Sequence, residues 1–150
     1  MLLVPKAEKA DFDAILATGK WPEGFDPRRT VLLDSAAPPA PSLATPTGGQ
    51  QGQAQPGTVR IADYGTTEVT LKIDAPQGGY VVLNDVWHRW WQVEIDDEPA
   101  ELLRANVLFR AVQVPPGRST VRFVFRPLRG LFEDVGKRLR GQMARSAASR

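Results

Sequence analysis

The chain has 150 residues, 42% hydrophobic and 24% charged, with 13 Pro and 13 Gly, enough for one domain with a core and rich in turn formers. It has no cysteine and one histidine, which excludes disulfide frameworks, thiolate nucleophiles and Cys- or His-rich metal sites. The net charge of +2 comes from the end of the chain, where seven basic residues from Arg126 onward meet only Glu133 and Asp134; the remainder is mildly acidic and lacks the broad basic face that nucleic acid requires.

The opening Met1-Leu2-Leu3-Val4 stops at Pro5 and Lys6, too short for a signal peptide, and no run approaches the roughly 18 apolar residues that span a bilayer. Ala7 to Thr18 reads as a short helix, with Phe12, Ile15 and Leu16 on one side and Gly19 placed to end it. Trp21 to Pro27 is turn-rich. Thr30-Val31-Leu32-Leu33 is a short strand apolar enough to be buried on both faces. Residues 36–57 carry no charge, five Pro and four Gly, and are expected to form a flexible surface excursion joining two strands of one domain. Strands follow at Thr58 to Ile61, at Glu68 to Asp74 and at Tyr80 to Leu83.

The segment from Gly79 to Arg126 organises the rest. Trp91, Val93 and Ile95 alternate with Gln92 and Glu94, Asp96-Asp97 turns the chain, and a second strand runs within Asn106 to Val114. Pro115-Pro116-Gly117-Arg118 turns it again, and Val121, Phe123 and Phe125 then share one face of a last strand. These three strands are expected to form a meander. The fold class is all-β: an antiparallel sandwich of about seven strands, jelly-roll or immunoglobulin-like, over residues 1–127. Residues 128–150 form a basic tail in which Leu128, Leu131, Phe132, Val135 and Leu139 fall at helical spacing. Such a helix either docks on the sandwich or rests, over residues 128–140, on an anionic membrane surface.

Val86-Trp87-His88-Arg89-Trp90-Trp91 holds three of the four tryptophans and the histidine. Tryptophan faces stack on sugar rings, so Trp87 and Trp90 beside Asp85, His88 and Arg89, with Arg104 and Arg110 nearby, are candidates for gripping a glycan. Packing is the competing role for Trp87 and Trp90. Trp91, in phase with Val93 and Ile95, is assigned to the core. His88 is read as a hydrogen-bonded loop residue. The carboxylates Asp85, Glu94, Asp96, Asp97 and Glu98 show no paired acid and base, and phosphate loops, nucleophile elbows and metal-ligand spacings are lacking, so neither catalysis nor a cofactor is expected.

Gly79-Tyr80-Val81-Val82-Leu83-Asn84-Asp85, Trp87 to Asp96, Arg104-Ala105-Asn106, Phe109-Arg110-Ala111-Val112, Val114-Pro115-Pro116-Gly117 and Val121-Arg122-Phe123 with Pro127 together resemble the C-terminal extracytoplasmic domain of YfhO-type bacterial membrane proteins. Leu3 to Leu33 resembles the stretch before that domain. Arg89 stands where the family usually has Pro, and Asp97 where it usually has Gly, which puts Asp97 in a left-handed conformation at about 1 kcal/mol. A basic tail replaces the family's following membrane span. The family is similar to lipid-linked-sugar glycosyltransferases whose catalytic carboxylates lie far upstream, so the resemblance implies a non-catalytic accessory domain contacting a glycan or lipid-linked sugar on the periplasmic face. A purely structural or protein-interaction module, free-standing and cytoplasmic if the chain is complete as written, is the alternative.

Overall fold

The computed structural model describes residues 1–34 and 57–127. The expected excursion, apart from Gly57, and the expected C-terminal helix lie outside the described residues. Gly57 has already rejoined the fold: a side chain there would run into Leu3 and come within 2.8 Å of the Asp74 carbonyl oxygen.

The described residues are mostly strand and form two sheets. Along the chain come β1 (Leu2–Val4), β2 (Lys6–Lys9), the helix α1 (Phe12–Thr18), β3 (Thr30–Leu33), β4 (Thr58–Tyr64), β5 (Glu68–Ala75) and β6 (Gly79–Val86). After these come β7 (Trp91–Ile95), β8 (Glu98–Ala100), β9 (Leu103–Ala105), β10 (Phe109–Val114) and β11 (Gly117–Phe125). The six-stranded sheet runs β1-β6-β10-β9-β3-β2 and the five-stranded sheet β4-β5-β11-β7-β8. All pairings are antiparallel except β2 with β3, which the α1 crossover makes parallel. That pair departs from the purely antiparallel plan expected, and the eleven described strands exceed the seven expected. Short edge strands such as β1, β2 and β8 carry too little periodicity to be read from sequence.

The helix is shorter than expected because Lys6–Lys9 pairs with β3 instead. Asp11 caps its start, the carboxylate accepting from the Ala14 N–H at 3.0 Å, and Gly19 ends it in the left-handed region (φ 68°), donating to the Ile15 carbonyl at 2.8 Å. Phe12 and Ile15 bury against Leu32 and Val107.

The expected meander does not form. Asp96 (φ 50°) and Asp97 (φ 68°) both take the left-handed region, the requirement of a tight hairpin turn, and fold β7 onto the short β8 rather than onto β10. Pro99 is tolerated there because β8 is an edge strand. Glu101 and Leu102 then carry the chain to the six-stranded sheet, where β10 pairs with β6 and β9; Pro115-Pro116 returns it, so β11 pairs with β5 and β7. The core lies between the sheets, from Val69, Leu71 and Ile73 of β5 through Val121 and Phe123 of β11 to Val81, Leu83, Val112 and Val114. Phe123 and Leu71 are fully buried.

Candidate functional site

One end of the two sheets gathers a charged and aromatic cluster around Arg110. Alternation along β10 points Arg110 inward with Val112 and Val114, so a guanidinium enters the apolar space between the sheets. Its side chain is only 3% exposed. Three contacts hold it there. Nη2 donates to Asp85 Oδ2 at 2.7 Å, and the guanidinium carbon lies 3.6 Å from the centre of the Trp91 ring and 5.6 Å from that of Phe123. The Tyr64 hydroxyl, from the end of β4, donates to the same Asp85 oxygen at 2.6 Å. Burial pulls the Arg110 pKa below its ordinary value, against the opposing pull of Asp85. The hydrogen bond to Asp85 raises the Tyr64 phenol above its usual range, with smaller contributions from desolvation and the carboxylate charge. Arg110 Nε and Nη1 are buried with no hydrogen-bond partner. Tyr64, Gly65, Thr66, Val86, Asp85, Trp91 and Arg110 line an open cleft of about 250 Å³.

The aromatic loop follows directly. Trp87 N–H donates to the Leu108 carbonyl, Trp91 N–H to the His88 carbonyl, and Arg126 N–H to the Trp90 carbonyl, so backbone bonds pin the loop to β10 and β11. His88 and Trp90 meet edge to face at 4.8 Å, and Phe125 packs against His88, Trp90 and Trp91. His88 also accepts from the Trp90 N–H through Nδ1 at 3.2 Å, the loop hydrogen bond expected of it. His88 and Arg89 are exposed, whereas Trp87 and Trp90 are half-buried with their indole N–H groups buried and unpaired. Trp91 is half-buried at the border of the core rather than inside it.

Of the residues singled out from sequence, Asp85 and Arg110 are thus joined directly, and Trp87, His88, Arg89 and Trp90 form the adjoining loop. Arg104 stands apart. It sits opposite Arg110 in the β9–β10 register, but its side chain turns to α1, lying 5.4 Å from the Phe12 ring centre and donating to the Val107 carbonyl at 2.7 Å. Tyr64 was missed, since nothing in the sequence brings the end of β4 to the end of β6. Of the other carboxylates considered for catalysis, Glu94 pairs with Arg122 and Arg126 and Asp96 accepts from the Thr120 N–H at 2.8 Å, while Asp97 and Glu98 sit exposed in and after the β7–β8 turn.

A second, more apolar cavity of about 540 Å³ lies beside the Trp21–Phe25 stack, lined also by Pro22, Pro27, Asn106 and Phe109. It borders a strained turn in which Val107 takes φ 72° while Leu108 N–H reaches the Asn106 carbonyl. Among the described residues no three His, Asp or Glu side chains gather as metal ligands, and no helix is long and apolar enough to cross a membrane. No family model, no curated protein and no solved structure matches the chain.

Proposed function

We propose that this chain is a non-catalytic accessory β domain of the kind found in YfhO-type envelope membrane proteins, on the extracytoplasmic side, and that it contacts a glycan or lipid-linked sugar at the Tyr64–Asp85–Arg110 corner. The observation that carries this reading is the Arg110 guanidinium, buried with two nitrogens unpaired at a cavity that also offers a carboxylate and an exposed tyrosine ring. Unpaired buried donors are costly, and a sugar hydroxyl or phosphate oxygen would satisfy them. Tyr64, 54% exposed, supplies an aromatic face, and Trp91 lines the same cavity. The engagement of Asp85, Glu94 and Asp96 by arginine or backbone partners favours binding over catalysis. In the same reading the two sheets are a jelly-roll or immunoglobulin-like sandwich, with the parallel β2–β3 pair as an addition to it.

The test is titration of the full chain with monosaccharides, sugar phosphates and a short polyprenyl-phosphate sugar, followed by tryptophan fluorescence. Saturable quenching is expected, weakened at least about tenfold by Tyr64→Ala, with the melting temperature little changed because that ring is exposed. A flat titration to millimolar ligand would remove the glycan reading. It would leave the structural or protein-interaction module, which the inward-turned indole N–H groups of Trp87 and Trp90 favour.

A further inference from the structure

The Tyr64–Asp85–Arg110 corner sets two opposite hydrogen-bonding demands side by side. Both of its internal bonds end on one oxygen of Asp85, with the Tyr64 hydroxyl and Arg110 Nη2 donating to Oδ2. Among the described residues Oδ1 therefore stays an open acceptor, on a carboxylate whose side chain is 29% exposed. Arg110 Nε and Nη1 are the opposite, donors without an acceptor on a side chain that is itself almost wholly buried. The charges lining the cleft, one guanidinium and one carboxylate, cancel. Asp63 adds a negative charge at the rim, its Oδ2 lying 4.0 Å from the position a side chain on Gly65 would take.

Resting on the glycan reading above, we infer that this corner takes a single uncharged sugar ring through its hydroxyls and discriminates against phosphate groups. A hydroxyl accepts and donates at once, so adjacent hydroxyls of one ring can accept from Arg110 and donate to Asp85 Oδ1. An ionised phosphate oxygen satisfies only the first demand. It also sets its charge against Asp85 and Asp63, and the charge of Arg110 is already offset by Asp85. An aromatic face completes the arrangement. Tyr64 stands exposed at the rim, whereas Trp91 has the Arg110 guanidinium over its ring at 3.6 Å and so contributes wall rather than platform. The volume, about 250 Å³, falls below the roughly 300 Å³ at which pockets for drug-sized ligands begin, which limits the occupant to one ring. A lipid-linked sugar is accordingly held by its sugar and not by its phosphate.

The test follows tryptophan fluorescence of the full chain during titration with methyl glucoside, galactoside and mannoside and with the matching hexose 1-phosphates. At least one methyl glycoside should saturate, at least about tenfold more tightly than its phosphate counterpart, since like charges brought together select against the charged ligand. Raising the salt from roughly 0.02 M to 0.5 M should change the glycoside affinity by less than about twofold, because that ligand carries no charge. Asp85→Asn should reverse the order, weakening the glycoside at least about tenfold and strengthening the phosphate, because Arg110 then carries an unopposed charge. That variant is expected to lose stability, and the comparison of ligands in the unsubstituted chain decides the matter without it. A hexose 1-phosphate bound as tightly as its glycoside would overturn the inference and leave the glycan reading standing, as would an Asp85→Asn chain that binds the glycoside as the parent does. Binding of neither ligand would remove the glycan reading itself, and the inference with it.

Discussion

The outward sides of the two sheets are opposites. On the five-stranded sheet, Arg122 lies opposite Glu94, its Nη2 2.5 Å from Oε2, with Glu68 and Arg126 completing a ladder and Lys72 reaching the Thr120 hydroxyl. The six-stranded sheet presents valine, leucine and alanine there instead. The difference is written in the strands. In β5, Val69, Leu71 and Ile73 alternate with Thr70, Lys72 and Asp74, whereas Val31-Leu32-Leu33 and Tyr80-Val81-Val82-Leu83 are unbroken apolar runs. Alternation gives one wet face, and an unbroken run demands cover on both. One sheet therefore keeps a wet outer face, and the other is apolar on both.

The comparison can be broken most forcefully by the same residue on both sides. Val82→Lys would bury an unpaired ammonium and should cost about 4 kcal/mol or more, while Val124→Lys, opposite Glu68 on the wet side, should stay within about 0.5 kcal/mol; urea denaturation of both variants measures the contrast. Asn106→Ala should cost about 3 kcal/mol. It deprives the buried Leu32 N–H of the side-chain oxygen that accepts from it at 2.9 Å and places alanine at φ 45°, and Asn106→Gly should recover about 1 kcal/mol of that loss. Between the sheets, Asp85→Asn leaves the Arg110 guanidinium without its counter-charge, and a loss of about 2 kcal/mol is expected, smaller than for a fully buried pair because Asp85 is partly exposed.

Glu94→Gln sharpens the contrast from the wet side. Its cost should be small at low ionic strength and vanish in high salt, read as the salt dependence of the melting temperature. Tyr80→Phe should have the least effect at neutral pH. Burial raises the Tyr80 phenol above its ordinary value of 10.0, so the folded chain holds that proton more tightly than the unfolded one. The resulting stability is present in full below about pH 10 and is lost as pH rises toward the folded value. Tyr80→Phe should therefore flatten the alkaline limb of a stability–pH curve, leaving the contribution that Tyr64 makes with the same sign.

The sequence by itself determined the all-β class, the C-terminal end of α1 at Gly19, and strands β3 and β7 to the residue, because local periodicity and turn chemistry act within a few neighbours; the start of α1 at Asp11 was not among them, since Lys6–Lys9 is drawn into a strand by its distant partner β3. It also marked Asp85, Arg110 and the tryptophan loop as chemically unusual. Only the tertiary structure decided that β10 lies in the other sheet from β7 and β11, since pairing partners are chosen by burial across the whole core and not by proximity along the chain alone. The same long-range pairing brought Tyr64 to Asp85 across 21 residues and sent Arg104 to α1 rather than to Arg110's cavity. Side-chain type is local information; which side chains meet depends on how two sheets close over one another.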